Sequence, residues 1–229
     1  MAEGDRPPAG TLSDVTTGLY MITAVCGLVD AACFLALGGV FAEMMTGNLL
    51  LLSLSLGTGM VLGDSLRYGT AIAAFVLGAL LGGRLLRGPR ELRERRVGFA
   101  VEGVVMTAAA ATAWLTAPDA HNDAGHAVLG LLAFAMGIQN AMVRVHGVPD
   151  LATNLMTVTF TGLVADSTPA GGDNANWRRR TLSILLFMTS AALGAALLPF
   201  GIHWPLSLAT VIFVLAMRPL LFGRHPLRK

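Results

Sequence analysis

Asp30 stands thirteen residues into an apolar run that begins near Thr17. A carboxylate at the centre of a bilayer costs roughly 2.5–3.5 kcal/mol on insertion scales, and such residues face a bundle interior or a wet cavity. The chemistry open to Asp30 is proton or cation binding. The plainer role is a hydrogen bond to a neighbouring helix. Glu43 follows soon after Gly38 and Gly39, a pair that favours a bend, and reads either as the mouth of a path or as a carboxylate at headgroup level.

Thr46-Gly47-Asn48 combines a backbone-permissive glycine with two hydrogen-bonding side chains inside an apolar run. At a helix break, freed amides and carbonyls there could coordinate a solute. The plainer role is a polar contact between helices. Gln139 and Asn140 are adjacent amides in an uncharged run, pointing to different helix faces, and Arg144 lies one turn after Asn140. Arg144 either snorkels to the interface or pairs with an acid such as Asp30. Asn154 and Thr157, with Thr159 and Thr161, form a second polar row. These ten residues, Asp30, Glu43, Thr46, Gly47, Asn48, Gln139, Asn140, Arg144, Asn154 and Thr157, are the candidate lining of a solute or ion path.

Enzyme chemistry finds no foothold. There is no His-Glu-x-x-His, Gly-x-Ser-x-Gly or phosphate loop. The five histidines are scattered near segment ends without metal-ligand spacing, so no catalytic residue, metal or cofactor is expected. Glu102 reads as a carboxylate at the start of its helix, where the dipole is positive. Cys26 and Cys33 read as packing residues, seven apart on one helix and too distant for a disulfide. Gly78-xxx-Gly82 and Gly59-xxx-Gly63 read as close-packing pairs.

The elements that carry these residues are apolar. The chain has 229 residues, 54% hydrophobic and 13% charged, against about a quarter charged in soluble domains. The excess apolar surface must face lipid. Nucleic-acid binding would need a basic face on a soluble domain, and none is present. Apolar segments fall at 17–38, 40–62, 67–86, 97–117, 124–143, 151–165, 181–202 and 204–222. A span needs about 20 helical residues. Segment 151–165 would be only about 22 Å long as a helix.

The chain also repeats. Gly27-Leu-Val-Asp30-Ala31 matches Gly137-Ile-Gln-Asn140-Ala141, Met45-Thr46-Gly47-Asn48 matches Met156-Thr157-Val158-Thr159, and Leu77-Gly78-Ala79-Leu80 matches Leu193-Gly194-Ala195-Ala196. The expected organisation is a tail at 1–16, a transmembrane domain at 17–222 with repeats at 17–117 and 124–222, and a basic tail at 223–229. If 40–62 and 151–165 do not cross fully, every Lys and Arg except Arg67 falls on the cytoplasmic side, as the positive-inside rule asks. If all eight segments cross, the basic residues divide almost evenly. The charge settles this for 151–165, and the repeat extends it to 40–62. The fold class is therefore an all-α polytopic membrane protein: two inverted repeats, about six full crossings and two broken or re-entrant segments, both termini cytoplasmic.

The set Gly27-Leu-Val-Asp30-Ala31, Phe41 through Met45-Thr46-Gly47-Asn48, Met136-Gly137-Ile138-Gln139-Asn140-Ala141, Arg144 and Ala152-Thr153-Asn154 resembles the YoaK-type family of bacterial membrane proteins. The resemblance covers nearly the whole chain after the tail. The family usually shows Thr-Gly where this chain has Thr157-Val158. The resemblance implies a multi-pass protein of the bacterial inner membrane and brings no substrate. On its residues the chain reads as a transporter or channel for a small solute or ion, with lipid as its surroundings and a homo-oligomer allowed. The alternative is a structural or regulatory membrane protein without transport activity.

Overall fold

The computed structural model describes residues 14–59, 62–87, 91–144 and 156–222. Helices α1 (Asp14–Ala36), α2 (Met45–Thr58), α3 (Leu62–Leu85), α4 (Glu91–Leu115), α5 (Asp123–Arg144), α6 (Met156–Ala165), α7 (Trp177–Leu197) and α8 (His203–Phe222) follow one another, with short 3-10 turns at Thr168–Ala170 and Leu198–Phe200. All but α2 and α6 are long and apolar enough to cross a membrane. α2 has 14 residues and α6 has 10, or ~21 Å and ~15 Å. Neither matches a hydrocarbon core of about 30 Å.

Helix α1 begins at Asp14, so Val15 and Thr16, expected in a tail, are helical and buried. The rest of that tail and residues 223–229 lie outside the described residues. α3 and α4 start five or six residues before their apolar runs. Straight-chain charged residues such as Arg93, Glu94, Arg95 and Arg96 are good helix formers and extend α4 into water.

The bundle is centred on α1 and α5, the two most buried spans. α1 packs on α7 and α8, and α5 packs on α3 and α4. Glycines set how closely they approach. A Cβ on Gly27 would meet Phe187 O at 2.7 Å, and one on Gly194 would meet Leu28 O at 3.2 Å, so α1 and α7 run parallel. A Cβ on Gly137 would meet Phe75 O at 2.2 Å, and one on Gly78 would meet Phe134 O at 2.0 Å, so α5 and α3 run parallel too. Gly82 meets Ala141 on the same pair, as its spacing from Gly78 suggests. Gly59 has another task. It ends α2 in the left-handed conformation, φ 65°, instead of packing within a helix.

The remaining contacts fix which helix ends lie together. Arg95 Nη2 donates to Leu220 O at one end of the α4–α8 pair, and Trp114 Nε1 donates to Ser207 Oγ at the other. Gly18 meets Leu220, and Gly98 meets Met142. One end of the bundle thus gathers the starts of α1, α4 and α7 with the ends of α3, α5 and α8. At the other end, Arg67 Nη1 donates to Ala120 O. α2 follows α1 from that second end, and the chain after α6 leads into the start of α7 at the first.

Candidate functional site

The chain between α1 and α2 relies on side chains to satisfy its backbone. α1 closes with Gly39 N–H donating to Phe34 O across two left-handed glycines, Gly38 at φ 85° and Gly39 at φ 73°. That is the reversal expected of a helix C-terminus. A Cβ on Gly38 would also strike Arg67 and Ala120 at 2.8 Å. The chain then folds back beside α1, with Phe41 stacked on Phe34 at 4.9 Å between centroids.

Non-helical backbone at membrane depth survives only where protein or water satisfies it. Two side chains do this here. Asp30 Oδ1 accepts from Ala42 N–H and Glu43 N–H, each at 2.9 Å. Asn48 Oδ1 accepts from Phe41 N–H at 3.0 Å, and its Nδ2 donates to Phe41 O at 2.7 Å. Helix α2 begins at Met45 immediately afterwards. Its positive dipole end therefore sits beside Asp30 and Glu43, where a negative charge is favoured.

From this loop a polar string crosses the core between α1, α5 and α4. Glu43 Oε1 accepts from Asn140 Nδ2 at 3.2 Å, and the same amide donates to Met136 O. Cys26 Sγ donates to Gln139 Oε1 at 3.3 Å, and the Glu43 carboxyl acts on it electrostatically. Gln139 Nε2 donates to Glu102 Oε1 at 2.7 Å. Asp30, Glu43, Gln139 and Glu102 are all buried. Among the described residues, the groups acting on the three carboxyls are one another, Cys26, Gln139, Asn140 and loop amides, with no cation.

Of the ten residues expected to line a path, the structure joins Asp30, Glu43, Asn48, Gln139 and Asn140 in this one region. Gly47 supports it, since a Cβ there would press on the Phe41 ring at 3.0 Å. Thr46 is exposed on the first turn of α2, and Arg144 is exposed at the end of α5. Neither hydrogen-bonds to the cluster among the described residues. Thr157 lies on an apolar groove between α6 and α7, with Phe160, Phe187 and Met188. Asn154 lies outside the described residues.

Glu102 is the residue that sequence reasoning misplaced. α4 starts at Glu91, so Glu102 is mid-helix, fully buried, and far from the dipole end it was expected to meet. The signal was present: Glu102 is the only ionisable residue between Val97 and Leu115. Cys26 and Cys33 are free, as their spacing requires. Among the described residues no three of His, Cys, Asp and Glu are grouped as metal ligands.

Six membrane-length helices around a polar core define a multi-pass helical membrane protein. The chain belongs to the family described as protein of unknown function (DUF1275), whose family model matches residues 18–218. It is 28% identical over 158 residues to the UPF0700 transmembrane protein YoaK of Bacillus subtilis (strain 168), a match covering 66% of this chain and 66% of that relative. No solved structure matches the chain.

Proposed function

We propose that this protein is a transporter or channel of the bacterial inner membrane, carrying a small cation or a neutral, hydrogen-bond-donating solute along the Asp30–Glu43–Asn140 region. The observation that carries this reading is three buried carboxyls in one cluster with no cation beside them among the described residues. A purely structural core would be expected to pair such charges, because unpaired ones are costly to bury. The helix break beside them supplies a natural gate.

The reading includes an inverted repeat. Exchanging α1 with α5, α2 with α6, α3 with α7 and α4 with α8 maps the packing onto itself: α1 on α7 and α8 becomes α5 on α3 and α4. The glycine contacts exchange in the same way, Gly27 and Gly194 for Gly137 and Gly78. α2 and α6 then enter from opposite faces, a plan common in secondary transporters. Placing the Arg-rich end in the cytoplasm satisfies the positive-inside rule and puts both termini there. Arg93→Cys and Asp173→Cys should therefore resist an impermeant maleimide added outside intact cells, while Thr116→Cys reacts. Labelling of Asp173→Cys from outside would overturn the inverted plan.

A second reading, a structural or regulatory membrane protein, is favoured by one observation: both hydrogen bonds of Asp30 Oδ1 serve the loop backbone. Proteoliposomes separate the two. On a solid-supported membrane, concentration jumps of sodium, potassium, ammonium and choline should give a current with one of these cations, and glycerol or urea should give osmotic swelling if the solute is neutral. Responses equal to those of empty vesicles across the panel would defeat the transport reading.

A further inference from the structure

Glu102 closes the far end of the polar string, and one of its oxygens has no assigned task. Its Oε1 is held by Gln139, but Oε2 is buried with no hydrogen-bond partner among the described residues. A lone carboxylate oxygen in an apolar bundle is among the least tolerable polar atoms a protein can bury. A proton on Oε2 removes the charge and turns that oxygen into a donor.

We propose that Glu102 is an exchangeable proton site, coupled through Gln139 and Cys26 to the Asp30–Glu43 end of the core. The inference rests on the transport reading and makes that transport proton-coupled. The ionisable groups around Glu102 are few. Those that act on it are Cys26 on α1 and Glu43 in the loop. From α5 and α8, residues 127–143 and 204–217 contribute no ionisable side chain, and α4 has none beside Glu102 between Val97 and Leu115. Among the described residues no cation balances these carboxyls, which leaves that role to a proton or a cationic solute.

Cys26 links the two ends because its thiol donates to Gln139 Oε1 at 3.3 Å while the Glu43 carboxyl acts on it electrostatically. An ionised Glu43 draws the thiol hydrogen to itself. Gln139 Oε1 is then unpaired, and the amide that holds Glu102 loses its anchor. The step is a simple exchange. The O–H bond on Glu102 breaks, the proton leaves to water when the bundle opens, and the new negative charge is matched by a cation at Glu43 and Asp30. Closing on the other side reverses each event.

Infrared difference spectroscopy on the purified full chain in lipid, without solute, tests this separately from transport. The wild type should show a protonated-carboxyl band at neutral pH that shifts in heavy water and fades in alkali. Glu102→Gln should lose that band, and Gln139→Leu should shift it. The sulfhydryl band of Cys26 should move in both variants. Should Glu102→Gln fail to fold, carbon-13 glutamate in the wild type isolates the glutamate bands, and the Gln139→Leu shift reports on Glu102. A band that is absent at neutral pH, inert to heavy water or alkali, or unmoved by these substitutions would overturn the proposal, whatever the flux assays give.

Discussion

Asp30→Ala is expected to destroy the fold of the 37–44 loop, whereas Asp30→Asn is expected to leave a folded protein that no longer transports. Alanine strands two buried N–H groups, those of Ala42 and Glu43. Each buried unpaired group costs about 1–3 kcal/mol, so the loss is about 2–6 kcal/mol. That is a large part of the 5–15 kcal/mol by which typical domains are stable. Asparagine retains an oxygen that accepts both bonds and removes only the charge. Asn140, its counterpart in the proposed repeat, already has that shape. Thermal unfolding in detergent should rank wild type and Asp30→Asn together, with Asp30→Ala well below. If Asp30→Asn keeps full flux in the vesicle assay, Asp30 is a loop anchor and nothing more.

The second large effect concerns the glycine contacts. Gly78→Ala and Gly137→Ala should each destabilise the bundle by about 1–3 kcal/mol or more, the range for overpacking a tight core. Their new methyl carbons would overlap carbonyl oxygens, Phe134 O at 2.0 Å and Phe75 O at 2.2 Å. Backbone cannot swing aside as a side chain can. Gly69, on the same helix as Gly78, has open space around it. Gly69→Ala should be neutral or stabilising by about 0.5–1 kcal/mol, because alanine limits the unfolded chain and favours helix. Equal midpoints for Gly69→Ala and Gly78→Ala would show that α3 and α5 do not pack as described.

The six long helices were legible because length and apolarity are additive over twenty residues and tolerate local error. The short second-half segment was legible from its length, fifteen apolar residues between Asp150 and Asp166, and α6 is shorter still. The site was legible only in part. Asp30 and Asn140 declared themselves by the cost of burying them. What they touch did not, because hydropathy periodicity is weak when lipid and protein are both apolar, and it cannot say which face looks inward. Thr46 entered through the Thr46-Gly47-Asn48 motif and Arg144 through its one-turn spacing from Asn140, and both are exposed. Asn48 was read as a solute ligand, while its side chain holds the backbone of Phe41 at both ends. Glu102 was misjudged because the apolar run was taken as the helix, although charged turns carry α4 back to Glu91.

The partners of α1 have a consequence for how the molecule is made. Among the long helices, α1 rests chiefly on α7 and α8, which the ribosome delivers some 140 residues later. At about 5–20 residues per second, α1 waits roughly 7–30 s after synthesis with its buried face uncovered. During that wait Asp30 has only the nearby loop to hold it, while Gly27 and Ser190 have yet to meet. The cell's insertion machinery must shelter a marginally polar helix for that interval, and degradation of the half-made chain competes with completion. Substitutions on α7 that never touch Asp30 would then lower the yield of protein reaching the membrane, an effect visible in pulse-labelled cells before any flux is measured.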